Sequence, residues 1–218
     1  MRGREAIAIR GFRGTAAVVA LACVVAAPRP ARAQVELGPR LGIYVPVGFV
    51  VNEGAASVPS SYIKKLQVGA PLIGGQGLVW ARPWLGVEAF VALSPSMVAV
   101  TDSTGTADHA STVVLASTRV IVPITSRRGL WSFFLGAGVG VVSRSGSVWQ
   151  YSSGTTARTW VLAFGGRTAL TESLSMHFEF EDQFSTAQFD QGLATQTQPR
   201  SHQDVIFSVA VDIPVHHR

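Results

Sequence analysis

Cysteine is almost absent. The 218-residue chain has one, Cys23, so no disulfide can form within it. Lysine is nearly as scarce, with only Lys64 and Lys65. Charged residues make up 14% of the chain, against roughly 25% in a typical soluble domain. A large water-facing surface normally carries more charge than this. No basic run marks a nucleic-acid surface. No helical period of useful length follows residue 34. GAGVG at 136–140 sits inside an alternating segment, where glycine relieves crowding, and so is no phosphate loop.

The N-terminus has its own pattern. Arg2, Arg4, Arg10 and Arg13 precede a thirteen-residue apolar run at 15–27, and Ala31-Arg32-Ala33 stands just before Gln34. A positive region, an apolar stretch and an A-x-A site predict a cleaved secretory signal peptide over 1–33. The run is shorter than the roughly 20 residues of a spanning helix. This segment holds six of the 18 basic residues and one of the 13 acidic ones, Glu5. Residues 34–218 therefore carry 12 of each (18 − 6 and 13 − 1) and no net charge. The basic balance belongs to the leader, and Cys23 would leave with it.

What remains alternates. From Val35, every second residue is Val35, Leu37, Pro39, Leu41, Ile43, Val45, Val47 and Phe49. The residues between are Gln34, Glu36, Gly38, Arg40, Gly42, Tyr44, Pro46 and Gly48. Period two with unlike faces is the mark of a strand. Eight such segments recur, near 35–50, 69–81, 85–94 (running on toward Val100), 111–123, 130–142, 158–170, 174–184 and 203–215. Each has the length of a tilted membrane-spanning strand, about 9–11 residues or a little more. The connections at 82–84, 125–129 and 171–173 are short. Those at 51–68, 95–110, 143–157 and 185–202 are long. Strict alternation of short and long connections fits an up-and-down barrel with short periplasmic turns and long outer loops. Both termini then fall on the periplasmic side.

The faces decide the environment. In the last segment Val205, Phe207, Val209, Val211, Ile213 and Val215 oppose Asp204, Ile206, Ser208, Ala210, Asp212 and Pro214. The second face is small, with scattered charges, which suits the crowded lumen of an eight-stranded barrel. The apolar face is expected to meet lipid. Two aromatic girdles are expected: Trp80, Trp84, Trp131 and Phe133 near the short turns, and Phe49, Trp160, Phe184 and Phe207 toward the long loops. Asp182 fits this poorly, since it shares the face of Met176, Phe178 and Phe180; either it sits at the outer interface or a bulge shifts the register there.

With its leader, eight amphipathic segments and alternating loop lengths, the chain resembles the small outer-membrane barrels of the OmpA/OmpX type across essentially all of 34–218. The resemblance rests on pattern. It implies an all-β, eight-stranded antiparallel up-and-down transmembrane barrel, inserted by the barrel-assembly machinery. One departure stands out: the chain ends IPVHHR, without the terminal aromatic usual in such barrels.

Inward-facing charges are the candidate functional groups: Arg40, Glu88, Arg119, Arg167, Glu179, Glu181 and Asp212, with His177. Counted from the short turns, Glu88, Arg119, Arg167, His177 and Asp212 lie about four residues up, and Arg40 and Glu179 about six. Buried charges need partners, so an ion-paired plug of the lumen is expected, with a narrow polar channel as the alternative. Glu179 and Glu181 resemble an acid/base pair, but no substrate would reach them. Asp102, His109 and Ser111, or His202 and Asp204, suggest triads only by residue type. His216 and His217 are expected to be solvated tail residues and no metal site. Trp149 and Tyr151 are the candidate loop contacts, for an extracellular ligand or for lipid headgroups.

The expectation is a monomeric outer-membrane barrel with a structural or surface-interaction role, no enzyme, no cofactor and no nucleic-acid partner. The alternatives are a barrel enzyme acting on lipids, a small pore, and a soluble lipocalin-like periplasmic barrel.

Overall fold

The computed structural model describes residues 34–48, 51–53, 63–125, 131–149, 155–171, 173–187 and 200–215. The leader at 1–33, Phe49, Tyr151, His216 and His217 lie outside them. The strands are β1 Gln34–Val47, β2 Val51–Glu53, β3 Ile63–Gln67, β4 Ala70–Arg82, β5 Leu85–Asp102, β6 Gly105–Pro123, β7 Trp131–Ser145, β8 Thr156–Thr171, β9 Leu174–Ala187 and β10 Arg200–Val215. Eight of these, β1 and β4 to β10, pair antiparallel with their neighbours in turn, and β10 returns to pair with β1. The sheet is a closed up-and-down barrel, as the alternation predicts. Closure leaves no edge for lipid to desolvate.

The pairing fixes the stagger. Moving around the barrel from Arg167 on β8, successive partners are His177, Ala210, Arg40, Gly74, Ala92, Leu115 and Val142. The next partner is Ala157, on β8 again. One circuit thus climbs ten residues, from 167 to 157. Over eight strands that stagger corresponds to a tilt of about 40°.

The faces are inverted relative to a soluble protein. Outward side chains include Leu41 at 61% exposure, Leu135 at 50%, Val139 at 54% and Leu162 at 54%. Inward ones include Arg40, Glu88, Arg119 and Glu181, each at 1% or less. An apolar exterior around a charged interior is the arrangement of a membrane barrel. A charge on that exterior should therefore cost more than it would in water. Val139→Arg, at mid-strand on β7, is expected to destabilise the barrel by about 2–4 kcal/mol. Urea midpoints in phospholipid vesicles would measure the loss.

Most of the expected girdle residues face outward, but Phe207 stands at the middle of β10 rather than toward the loops. Trp84, Trp131, Phe133, Trp160 and Phe207 are exposed on the outer face, and Phe184 is half-buried. Trp80 is the correction. It is buried among Leu78, Ile121 and Phe134, because it shares its parity on β4 with Gln76 and Leu78, which point inward. Asp182 needs no bulge. Its register with Val205 and Leu162 is continuous, and it faces outward, where its Oδ2 accepts a 2.8 Å hydrogen bond from Gln203 Nε2.

The segment at 95–110, expected as a loop, is a hairpin. The β5–β6 register runs unbroken from Gly86↔Ile121 to Asp102↔Gly105. The turn at Ser103 and Thr104 is held by the Asp102 carboxylate, which accepts from Thr104 N at 2.7 Å and from Thr104 Oγ1 at 2.5 Å. Those bonds hold the Asp102 carboxyl below its ordinary range. Residues 102–110 are exposed on both faces, so the segment lacks the unlike faces that reveal a strand in sequence. Alongside it, β3 pairs with the outer end of β5, and β2 with β3. A sheet thus continues past the barrel rim.

Candidate functional site

The lumen is built from paired strands whose large inward residues face small ones. Arg40 lies between Ala210 and Gly74. Gly138 lies beside Arg119, Gly165 beside Glu179, and Ala163 beside Glu181. The small partners leave the width that long charged side chains need in a barrel of this size. Glu88 stands directly across from Arg119.

Those side chains converge. Arg119 pairs with Glu88, Glu179 and Glu181. Arg40 pairs with Glu179, with Glu88 at 3.4 Å and with Glu181 at 3.7 Å. Its Nε donates to Ser208 Oγ at 2.8 Å, and its guanidinium lies 4.0 Å from the Phe90 ring centroid. His177 bridges Glu179 at 3.2 Å and Asp212 at 3.6 Å. Gln76 Nε2 donates to Asp212 Oδ1 at 2.8 Å. Gln183 Nε2 donates to Glu181 and accepts through Oε1 from Thr159 at 3.2 Å. Two guanidiniums thus hold three glutamates in one layer, and most of their other polar atoms are bonded, Glu88 Oε2 and Arg119 Nε excepted. Such satisfaction offsets part of the cost of burying charge.

Seven of the eight predicted lumen residues lie in this layer or border it. Arg167 stands apart: its Nη1 pairs with Glu36 at 2.5 Å and its Nη2 donates to Ser175 at 2.5 Å. Counting residues from the turns puts Arg167 level with Glu88 and Arg119, but a hydrogen-bonded row climbs ten residues per circuit, so equal counts are not equal heights. Glu36, fully buried, belongs to the site and was missed as a candidate, although it sits on the inward parity of β1. Tyr44, Arg144 and Asp204 form a second buried polar group, with Tyr44 OH donating to Asp204 at 2.6 Å and Arg144 pairing with it at 2.7 Å.

Apolar layers flank the ions. On β4 the inward residues run Leu72, Gly74, Gln76, Leu78. On β6 they run Leu115, Ser117, Arg119, Ile121. Toward the short turns Leu78, Trp80, Ile121 and Phe134 pack together. Toward the outer side Tyr44, Leu72, Phe90, Val113, Leu115 and Ile206 do so with Ala92 and Val142.

Glu88, His177 and Glu179 place potential ligand atoms within 4.8 Å of one another. The same carboxylates hold the Arg40 and Arg119 guanidiniums, which already supply the cationic charge a metal would bring. The Asp102, His109 and Ser111 set does not assemble. Asp102 pairs across from Gly105 at the hairpin tip, four residues from His109, roughly 13 Å along an extended strand. Ser111 Oγ donates to Ser145 O and accepts from the Trp149 indole. Asp204 is held by Tyr44 and Arg144, as above.

Trp149 corrects the loop-contact expectation. It is 3% exposed, packed on Val98 and Ala157, with Nε1 donating to Ser111 Oγ at 3.0 Å. A short 3-10 turn, Ser147–Trp149, folds it inward, and Lys65 Nζ sits 5.3 Å from its ring centroid. Trp149 is a buried anchor of the outer rim. Trp149→Ala is expected to open protease cleavage near 145–156 while the barrel below stays folded; limited proteolysis with a heat-shift gel would separate the two effects.

No family model matches the chain, and no curated protein matches its sequence. Solved structures do match it. The outer membrane protein OprG from Pseudomonas aeruginosa aligns with 85% of this chain and 97% of its own, at a TM-score of 0.64 and 10% identity. The outer membrane protein AlkL, solved in DMPC lipid bilayers, aligns with 87% of this chain and 96% of its own, at 0.54 and 13%. Identities this low carry the architecture alone: the chain has the fold of the small eight-stranded outer-membrane barrels.

Proposed function

We propose that the chain is an integral outer-membrane barrel whose lumen is a structural plug, and that its interactions run through the outer rim and loops. The ion-paired layer between two apolar layers carries this reading. Solvated ions would have to cross packed side chains on both sides of a salt-bridged disc. A structural or surface-interaction role follows, without catalysis. Residues 1–33 direct export and are removed. Both termini stand in the periplasm, and the barrel-assembly machinery inserts a monomer into the lipid bilayer. The loops meet whatever extracellular ligand the protein has.

Planar-bilayer recording tests the plug. The purified barrel should give no steady conductance above the bare membrane. Reproducible channel steps from the wild type would favour the narrow-channel alternative.

A further inference from the structure

The aromatic side chains of the lipid-facing wall are not evenly spread. Strands β7 to β10 and β1 gather Trp131, Phe133, Phe164, Phe178, Phe180 and Phe207 around a groove of about 720 Å³. The rings form ordered walls. Phe133 and Phe164 stack at 6.2 Å with planes 2° apart. Trp131 lies 6.0 Å from Phe178, and Phe180 meets Phe207 edge-on at 5.2 Å. The floor is backbone. Gly165 and Gly166 line it, and a Cβ on Gly166 would come within 3.2 Å of the Phe133 ring. Leu41, at 61% exposure, edges the opposite side.

We propose that this groove binds the hydrocarbon chain of one phospholipid from the periplasmic leaflet. The inference rests on the membrane reading above. Its occupant follows from position. The groove is continuous with the apolar belt, so bilayer hydrocarbon is what reaches it. It opens at the short-turn end, where Trp131 begins β7, and runs up to mid-strand at Ile43 and Phe207. Trp131 stands where an indole bridges headgroup and hydrocarbon. Fixed aromatic walls offer a chain more contact than a smooth barrel face, so this lipid should exchange more slowly than its neighbours.

Native mass spectrometry of barrels extracted from phosphatidylethanolamine vesicles tests the site. Leu41→Trp fills the groove from its exposed rim. Ile73→Trp, at 57% exposure on β4, adds the same bulk outside the groove. Wild type and Ile73→Trp should retain one phospholipid per barrel, and Leu41→Trp at least tenfold less. A heat-shift gel checks that each variant is folded. Three results would overturn the proposal: a membrane-inserted wild type with no retained lipid, equal retention in Leu41→Trp, or a wild-type dimer that Leu41→Trp dissociates. A wild-type chain recovered soluble, without detergent, would remove the membrane reading together with the site.

Discussion

Arg119→Met is expected to destabilise the barrel by about 3–5 kcal/mol, the usual cost of removing one partner from a buried ion pair. Arg119 is the centre of the lumen layer. It alone contacts all three of Glu88, Glu179 and Glu181 by direct hydrogen bonds. Methionine keeps much of the length and apolar stem and removes the charge. Arg40 would then face three carboxylates, one of which, Glu181, it reaches only at 3.7 Å. Urea unfolding in detergent micelles, followed by the heat-shifted band, would measure the loss. Conductance should stay low in the same variant, because the layer of Leu78, Trp80, Ile121 and Phe134 and the one around Phe90 and Leu115 do not depend on Arg119. A large rise in conductance would mean that the ion pairs themselves close a pathway.

Gly138→Leu should cost more than about 3 kcal/mol, beyond the usual range for overpacking. Gly138 points into the lumen beside Arg119. A Cβ there would lie 2.1 Å from Thr118 O and 2.6 Å from Arg119 Cα. Both contacts are backbone atoms of β6, so no rotamer change relieves them. The strands must separate, and Arg119 moves with them. The adjacent Val139 has the opposite requirement: space is free on the outer side, and only charge is penalised. Comparing leucine at 138 with leucine at 139 isolates this. The first should abolish the folded band, and the second should leave it intact. Equal tolerance at the two positions would contradict the face assignment of β7.

Much of this was readable in the sequence because a barrel strand has one bulky apolar face and one restricted face. That contrast located all eight strands and the inward parity of Arg40, Glu88, Arg119 and Glu179. Where the contrast is missing, the reading failed. Residues 102–110 are polar on both sides and exposed on both sides, so a hairpin looked like a loop. Trp80 is large and apolar yet inward, packed on Phe134 where the barrel closes above its short turns; composition alone assigns such a residue to lipid. Trp149 looked like an exposed loop aromatic because nothing local reveals that Val98 and Ala157, distant in sequence, would cover it. Heights along the axis were the other gap. The ten-residue climb per circuit is a property of the whole closed sheet, and no single strand carries it. That is why Arg167 pairs with Glu36, below the layer it was expected to join.

The measurement that bears most directly on a closed, lipid-facing barrel is fractionation of expressing cells, followed by a gel of boiled and unboiled samples. The chain should be recovered in the outer membrane, require detergent for extraction, and give a band that shifts on boiling. Recovery in the soluble periplasm without detergent, with no shift, would contradict it.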